Sequence, residues 1–208
     1  MDGNGRWARQ RGLPRYVGHS AGAESVRNAI EAARQVGVRF LTLYTFSAEN
    51  WRRPAEEVSA LMELIEHKIR EEIHALHENA VRVKVLGRLE ELPQSLQEEL
   101  QRDMELTACN TGLTLYLALN YGGRREIADA ARRLGADLLA GRLRLEEVDE
   151  TCFARYLYAP EAPDPELLIR TGGEMRLSNF LLWQAAYTEL WITPTLWPDF
   201  TKADFYHA

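Results

Sequence analysis

The feature that most constrains this chain is a change of period that repeats along its length. Short apolar, β-branched and aromatic runs alternate with longer segments whose apolar residues recur every three or four positions. "RFLTLYTF" (39–46), "VRVKVLG" (81–87), "LTLYLALNYGG" (113–123), "ELLIRTGG" (166–173) and "ELWIT" (189–193) read as strands. "SAGAESVRNAIEAARQVG" (20–37) reads as a helix capped by Ser20 and stopped by Gly37. A long helix starts at Pro54 and runs to about Asn79, with Val58, Leu61, Met62, Ile65, Ile69, Ile73 and Leu76 along one stripe. Further helices are expected over 93–110 and 124–140, one or two short ones within 145–158, and a short one at "NFLLWQAAY". Strands separated by helices need crossover connections. The fold class is therefore α/β, a largely parallel central sheet flanked by helices. The proline-rich "PEAPDP" (160–165) reads as a loop, and 1–208 as a single domain.

The bulk numbers narrow the function. Hydrophobic residues at 46% against 27% charged exclude a disordered chain. A net charge of −6 argues against nucleic acid as a partner, which calls for a broad basic face. Small anionic substrates need only a few arginines gathered in one place. No apolar run approaches the ~18 residues of a membrane-spanning helix, and no charged, apolar leader stands out. Cys109 and Cys152 lack CxxC spacing and read as free thiols, so a cytoplasmic setting is expected.

In open parallel sheets, ligands lie off the carboxyl ends of the strands. "SAENW", "NYGGR" and "RTGGEMRLSN" all follow strands and share that address. "DGNGR" sets Asp2, Asn4 and Arg6 among glycines, which let backbone N–H groups approach a phosphate. "RYVGHSAG" places Arg15 and His19 just ahead of the expected helix start, a favourable place for an anion. Arg170, Arg176 and Ser178 on a Gly-Gly turn form a fork for a diphosphate. Ser47, Glu49, Asn50, Arg53 and Glu57 crowd the loop after the strand at 39–46, and Glu189 precedes the last strand. Carboxylates beside phosphate-binding groups suit Mg²⁺. No P-loop is present, and no GxGxxG follows a strand, which sets nucleotide binding aside.

MDGNGRWA, GHxAG, YTFSAENWRRPxxEV, LNYGGRxEI, IRTGGExRLSNFLLWQxAYTEL and LWPDF occur in order across nearly the whole chain. This pattern resembles the cis-prenyltransferase family, and within it the bacterial undecaprenyl diphosphate synthase type. The DDxxD motif of trans-prenyltransferases is absent. The resemblance implies Mg²⁺-dependent, repeated condensation of isopentenyl diphosphate onto an allylic diphosphate, typically farnesyl diphosphate, with Z geometry. It implies a hydrophobic tunnel between sheet and helices, a homodimer, and a cytoplasmic or loosely membrane-associated enzyme whose long polyprenyl product passes to the membrane. A short- or medium-chain synthase and a non-catalytic subunit remain alternatives.

The family's roles map position by position. Asp2 matches the catalytic metal aspartate. Gly3, Asn4, Gly5 and Arg6 match the loop holding the allylic diphosphate, with Trp7 beside it, and Arg15 and His19 match further diphosphate contacts. Ser47, Ala48, Glu49, Trp51 and Arg53 match the substrate loop, and Asn50 the residue assigned to proton removal. Arg170, Arg176, Leu177 and Ser178 match the isopentenyl diphosphate site, and Glu189 the second metal carboxylate. At Met175 some relatives carry a histidine that can touch metal. Ala23 is small enough to leave a tunnel open, and Leu113 matches a tunnel-floor position. A neutral amide is barely basic, so Asn50 is expected to orient a substrate or relay a proton through the diphosphate or His19. Relatives carry an apolar first strand running into the opening motif and an arginine-rich tail. Both are missing from these 208 residues.

Overall fold

The alternating periods become five strands and seven α-helices in a computed structural model that describes residues 1–208. In chain order these are α1 (Asn4–Gln10), α2 (Arg15–Gln35), β1 (Phe40–Ser47), α3 (Ala55–Glu78), β2 (Arg82–Leu86) and α4 (Gln94–Leu106). They continue as β3 (Thr114–Tyr121), α5 (Gly123–Leu139), α6 (Glu150–Ala154), β4 (Leu167–Arg170), β5 (Glu189–Ile192) and α7 (Lys202–His207). Every pairing is parallel. β3 lies between β1 and β2, with Leu115 level with Leu41 on one side and Val83 on the other. β4 pairs only with β5, so the strands form two ladders rather than one continuous sheet. β1 and β4 are each paired along one side only, and residues of both line one cavity.

β3 is buried on both faces, which is why its sequence is a continuous apolar run rather than an alternating one. Leu115, Leu117 and Leu119 point toward α3 and α4 and meet Leu61, Met62, Ile73, Leu96 and Leu100 in the main core. Tyr116, Ala118 and Tyr121 face a second cluster with Leu86 and Leu181. Each fully buried leucine in these layers contributes roughly 2 kcal/mol. Leu113, expected at a tunnel floor, is instead packed inside the main core.

Three local expectations change. The "DGNGR" stretch is not a loop; it turns at Gly3 directly into α1. α2 begins at Arg15, one residue after Pro14, so Ser20 lies inside the helix and caps nothing. The sequence hides this start because Gly18 and Gly22 weaken the helical reading. They are required by packing: a Cβ on Gly18 would collide with the Asn4 carbonyl of α1. The segment "NFLLWQAAY" shrinks to a 3₁₀ turn at Gln184–Tyr187. Ser178, Asn179 and Leu181 have φ of 50, 65 and 45°, which breaks any helix leading into it. Cys109 and Cys152 are free thiols, and no helix is long and apolar enough to cross a membrane.

Candidate active site

The start of α1 and the end of β4 are tied together through their backbones. The Asp2 N–H donates to Thr171 Oγ1 at 2.9 Å, and the Thr171 hydroxyl donates back to the Asp2 carbonyl at 2.8 Å. The Trp197 N–H also donates to that carbonyl, at 3.0 Å. Gly3 makes the turn with φ 112°, and its N–H helps hold the Asp2 carboxylate. Gly172, with φ 86°, lets the β4 turn pass so close to Arg6 that any side chain there would collide with the guanidinium.

This junction gathers charge. Arg170 Nη2 donates to Asp2 Oδ2 at 3.0 Å and to Glu174 Oε2 at 2.9 Å, while its Nη1 donates to Ser178 Oγ at 2.8 Å. Arg6 donates to the Gly172 carbonyl at 2.7 Å and lies 3.6 Å from Asp2 Oδ1. Arg176 pairs with Glu174. Burial by itself raises the Asp2 pKa, but the Arg170 hydrogen bond and charge, with Arg6, more than offset it. The carboxyl is held below its ordinary value and is ionised at neutral pH.

The opposite lip is built from the first turns of α2 and α3. Glu57 takes Arg53 at 2.9 Å and Arg15 at 3.5 Å. His19 sits one helical turn beyond Arg15. Burial and the positive charges of Arg53 and Arg15 push its pKa down to about 4, so the imidazole is neutral at pH 7. Between β1 and α3 a 3₁₀ turn (Ala48–Arg52) carries Asn50, whose Oδ1 accepts from the Ser47 N–H at 3.0 Å. That leaves the Asn50 NH₂, a donor, for a ligand.

Seven buried side-chain polar atoms have no hydrogen-bond partner, and four of them belong to this site: Asn4 Oδ1, Arg6 Nη2, His19 Nε2 and Arg170 Nε. Buried polar atoms are normally paired. The orphaned nitrogens of Arg6, Arg170 and His19 mark a place prepared for a polyanion, whereas Asn4 Oδ1, an acceptor, lies against Gly22 of α2. Behind it opens a cavity of about 1330 Å³. Its walls include Ala23, Val26 and Ile30 of α2, Leu61, Ile65, Ile69 and Ile73 of α3, and both faces of β1. It extends to both faces of β1 because the outer edge of that strand is unpaired, so it is broader than a tunnel between sheet and helices.

Of the residues singled out from the sequence, Asp2, Gly3, Asn4, Gly5, Arg6, Arg15, His19, Ser47, Asn50, Arg53, Arg170, Arg176, Leu177 and Ser178 all line this cavity. Five others do not. Trp7 turns outward, donating to Asp199 Oδ1 at 2.7 Å and stacking under Arg11. Glu49 accepts from Asn179 at 2.6 Å, and Ala48 packs near Gly122. Trp51 donates to Asn120 Oδ1 at 2.7 Å. Glu189 is exposed at the first residue of β5, level with Leu167 and three residues before the strand position beside Arg170. Sequence reasoning passed over Thr171, which pins Asp2, and Glu174, which sits within the quoted "RTGGEMR". It also passed over Asn120, which anchors Trp51.

The chain offers no group of three or more metal-ligating side chains. Asp2 is nonetheless ionised and half-exposed, with Glu174 as a second carboxylate on the same arginine. Mg²⁺ takes one or two carboxylates and completes its shell with water and substrate phosphates, so this donor set fits it in company with a phosphate ligand.

An ionised aspartate among arginines, in front of a large apolar cavity at the carboxyl ends of parallel strands, defines an enzyme that handles the diphosphate of a lipid-like substrate. A family model described as "Putative undecaprenyl diphosphate synthase" matches residues 1–208. The isoprenyl transferase of Heliobacterium mobile is 49% identical over 208 residues, covering 100% of this chain and 80% of that protein. The ditrans,polycis-undecaprenyl-diphosphate synthase ((2E,6E)-farnesyl-diphosphate specific) of Salmonella paratyphi A is 50% identical over 205 residues, 99% of this chain and 81% of that one. Lavandulyl diphosphate synthase from Lavandula x intermedia, solved with dimethylallyl diphosphate, superposes with a TM-score of 0.97 at 36% identity, covering 100% and 90%. The chain belongs to the undecaprenyl diphosphate synthase family and is a cis-prenyltransferase.

Proposed function

We propose that the protein extends an allylic diphosphate, farnesyl diphosphate in the first instance, by repeated Z-condensation with isopentenyl diphosphate in the presence of Mg²⁺. The product in this reading is a long polyprenyl diphosphate of the undecaprenyl type. The observation that carries it is the set of orphaned nitrogens on Arg6, His19 and Arg170 beside an apolar chamber. The farnesyl specificity in the name of the Salmonella relative supports the choice of starter.

In this reading the allylic diphosphate lies across the N-terminus of α1, where Arg6, Arg15 and the backbone N–H groups of Asn4 and Gly5 stabilise the charge left as the C–O bond breaks. Mg²⁺, held by Asp2 with the phosphates, would add Lewis-acid stabilisation of the same departing group. Arg170, Arg176 and Ser178 orient isopentenyl diphosphate. Its alkene carbon bonds to the allylic carbon, and a proton leaves the adjacent position. The Asn50 NH₂ orients a diphosphate oxygen, and neutral His19 Nε2 or that oxygen accepts the proton. The hydrocarbon grows into the cavity between α2 and α3. Product leaves for the membrane from a cytoplasmic enzyme.

The 208 residues act as one domain and assemble as a homodimer. Leu190 of β5 is about half exposed and Tyr187, in the turn just before that strand, is fully exposed, an apolar edge that a second copy would cover. Glu189 stands on the same strand and is proposed to contribute its carboxylate to metal handling in the assembled enzyme. The deciding experiment incubates the protein with farnesyl diphosphate, labelled isopentenyl diphosphate and Mg²⁺. Chromatography should show a long product from a species that gel filtration sizes as a dimer. No extension with any allylic starter overturns the reading.

A further inference from the structure

Trp51 belongs to the turn that carries Asn50 and Arg53, yet its own side chain points away from the cavity. Its ring packs edge-on against Phe46 with centroids 5.3 Å apart, and its indole N–H donates to Asn120 Oδ1 at 2.7 Å. Asn120 is 1% exposed and has φ 48°. A left-handed non-glycine residue at a strand end is strained, and Asn is among the residue types that tolerate it best. Its amide hydrogens are both committed, to the Arg88 carbonyl at 3.0 Å and to Glu91 Oε2 at 2.8 Å. Arg125 completes the ring by donating to Glu91 Oε2 at 3.2 Å. Arg88 is fixed in turn by two 2.8 Å bonds to Asp129 of α5. The NH₂ of Asn120 is therefore clamped from behind, and its oxygen accepts the short bond from Trp51 and a longer one, 3.4 Å, from Arg125.

We propose that Asn120 is a positioning residue for the reaction: through the Trp51 indole it fixes the height of the 47–53 turn, and so of Asn50 and Arg53, over the diphosphate-binding groups. On that side the turn has one other anchor, at its other end, where Glu49 accepts from Asn179 at 2.6 Å. The Phe46–Trp51 contact gives packing without direction, whereas the indole hydrogen bond sets a single distance. The inference rests on the proposed role of Asn50 and Arg53 toward diphosphate substrates.

Three variants test it. Asn120→Gly removes the oxygen at a backbone conformation glycine adopts freely. Trp51→Phe removes only the N–H and keeps a ring against Phe46. The third carries both changes. Trp51→Phe should raise KM for isopentenyl diphosphate by roughly three- to tenfold, the weight of one hydrogen bond, with a smaller change in kcat, and Asn120→Gly, which also loses the Arg88 and Glu91 bonds, by at least as much. The double variant should be no worse than Asn120→Gly, because the bond that Trp51→Phe removes is already gone there. Trypsin cleavage after Arg52 in the substrate-free protein should speed up by a similar factor in all three. This arm reads the anchor without any assay of turnover, so its failure is distinct from failure of the proposed activity. Multiplying losses in the double variant, or wild-type KM and proteolysis in Trp51→Phe, overturns the proposal. The Trp51→Phe arm stands even if Asn120→Gly does not fold.

Discussion

Two arginine–carboxylate clusters lie beyond the carboxyl ends of these strands, and they differ in one respect. Behind β3, every charged group is answered, and the one orphaned atom is a neutral amide oxygen, Gln184 Oε1. Arg88 holds Asp129 through two bonds of 2.8 Å, and Tyr158 adds a third at 2.6 Å. Glu126, 1% exposed, accepts from Tyr121 at 2.5 Å, from the Tyr158 N–H at 2.9 Å and from Gln184 at 3.2 Å. At the α1–β4 junction and the α2 lip facing it the same residue types are present, but Arg6, Arg170, Asn4 and His19 each keep a buried atom without a partner. A closed network spends its hydrogen bonds on holding elements together, and an open one keeps them for a ligand. Composition cannot tell the two clusters apart; satisfaction can.

The comparison breaks most sharply at Asp2. Asp2→Ala should lower kcat/KM by ~10²–10³, the usual effect of losing one preorganised electrostatic group. Folding stability should shift by less than ~1 kcal/mol, because Arg170 keeps Glu174 as a partner and the pair is partly exposed. A loss under tenfold would remove Asp2 from the chemistry. The mirror experiment is Glu126→Ala. It strands the Tyr121 hydroxyl and the Tyr158 N–H in the interior and should cost ~3 kcal/mol of stability by urea unfolding. Its kcat/KM, measured where the protein is folded, should stay within a few-fold of wild type. If Glu126→Ala cut turnover as deeply as Asp2→Ala, closure would no longer separate structure from function.

The same contrast explains what the sequence could show. Strand positions were legible because β3 is buried on both faces and reads as an unbroken apolar run, and β1 carries the same aromatic and β-branched signal. The start of α2 was not. Its first two turns hold Gly18 and Gly22, glycines placed for the close approach of α1, and local propensity misreads them. Most of the site's residues were identifiable from motif order, since Asp2, Arg6, Arg170 and Arg176 lie within contiguous stretches. Glu174 was missed because an acid beside two arginines looks self-neutralised on paper. Asn120 was missed because its work is done by a φ of 48° and by partners 29 and 69 residues away. Trp7 and Trp51 sit in the right motifs, yet their side chains leave the cavity for Asp199 and Asn120, a direction that only the folded backbone decides.

The smallest expected effect is in the pH dependence of stability, and it sharpens the comparison by reporting on the open cluster alone. Unfolded, His19 takes a proton near its ordinary value of 6.5; folded, it does so only near 4. Between these values the unfolded chain holds more protons, so stability is full above pH 6.5 and falls as pH drops toward 4. From pH 7 to 5 this amounts to ~2 kcal/mol. Asp103 acts in the opposite sense. Burial, reinforced by Glu99 and opposed by Arg102, His74 and Arg70, raises its carboxyl from 3.8 to about 6. The folded state then holds more protons from 3.8 to 6, and stability falls as pH rises through that window. Below pH 6 the two slopes oppose one another in the wild type, so each must be read by difference. His19→Gln should gain stability relative to wild type as pH is lowered from 7 to 5. Asp103→Asn should be the more stable protein at pH 7 and lose that advantage toward pH 4. Inorganic diphosphate provides the final check. An anion seated beside His19 favours the imidazolium and raises its pKa, which should flatten the His19 slope while leaving the Asp103 slope unchanged. If diphosphate moved both slopes or neither, the orphaned Nε2 would not be part of an anion site.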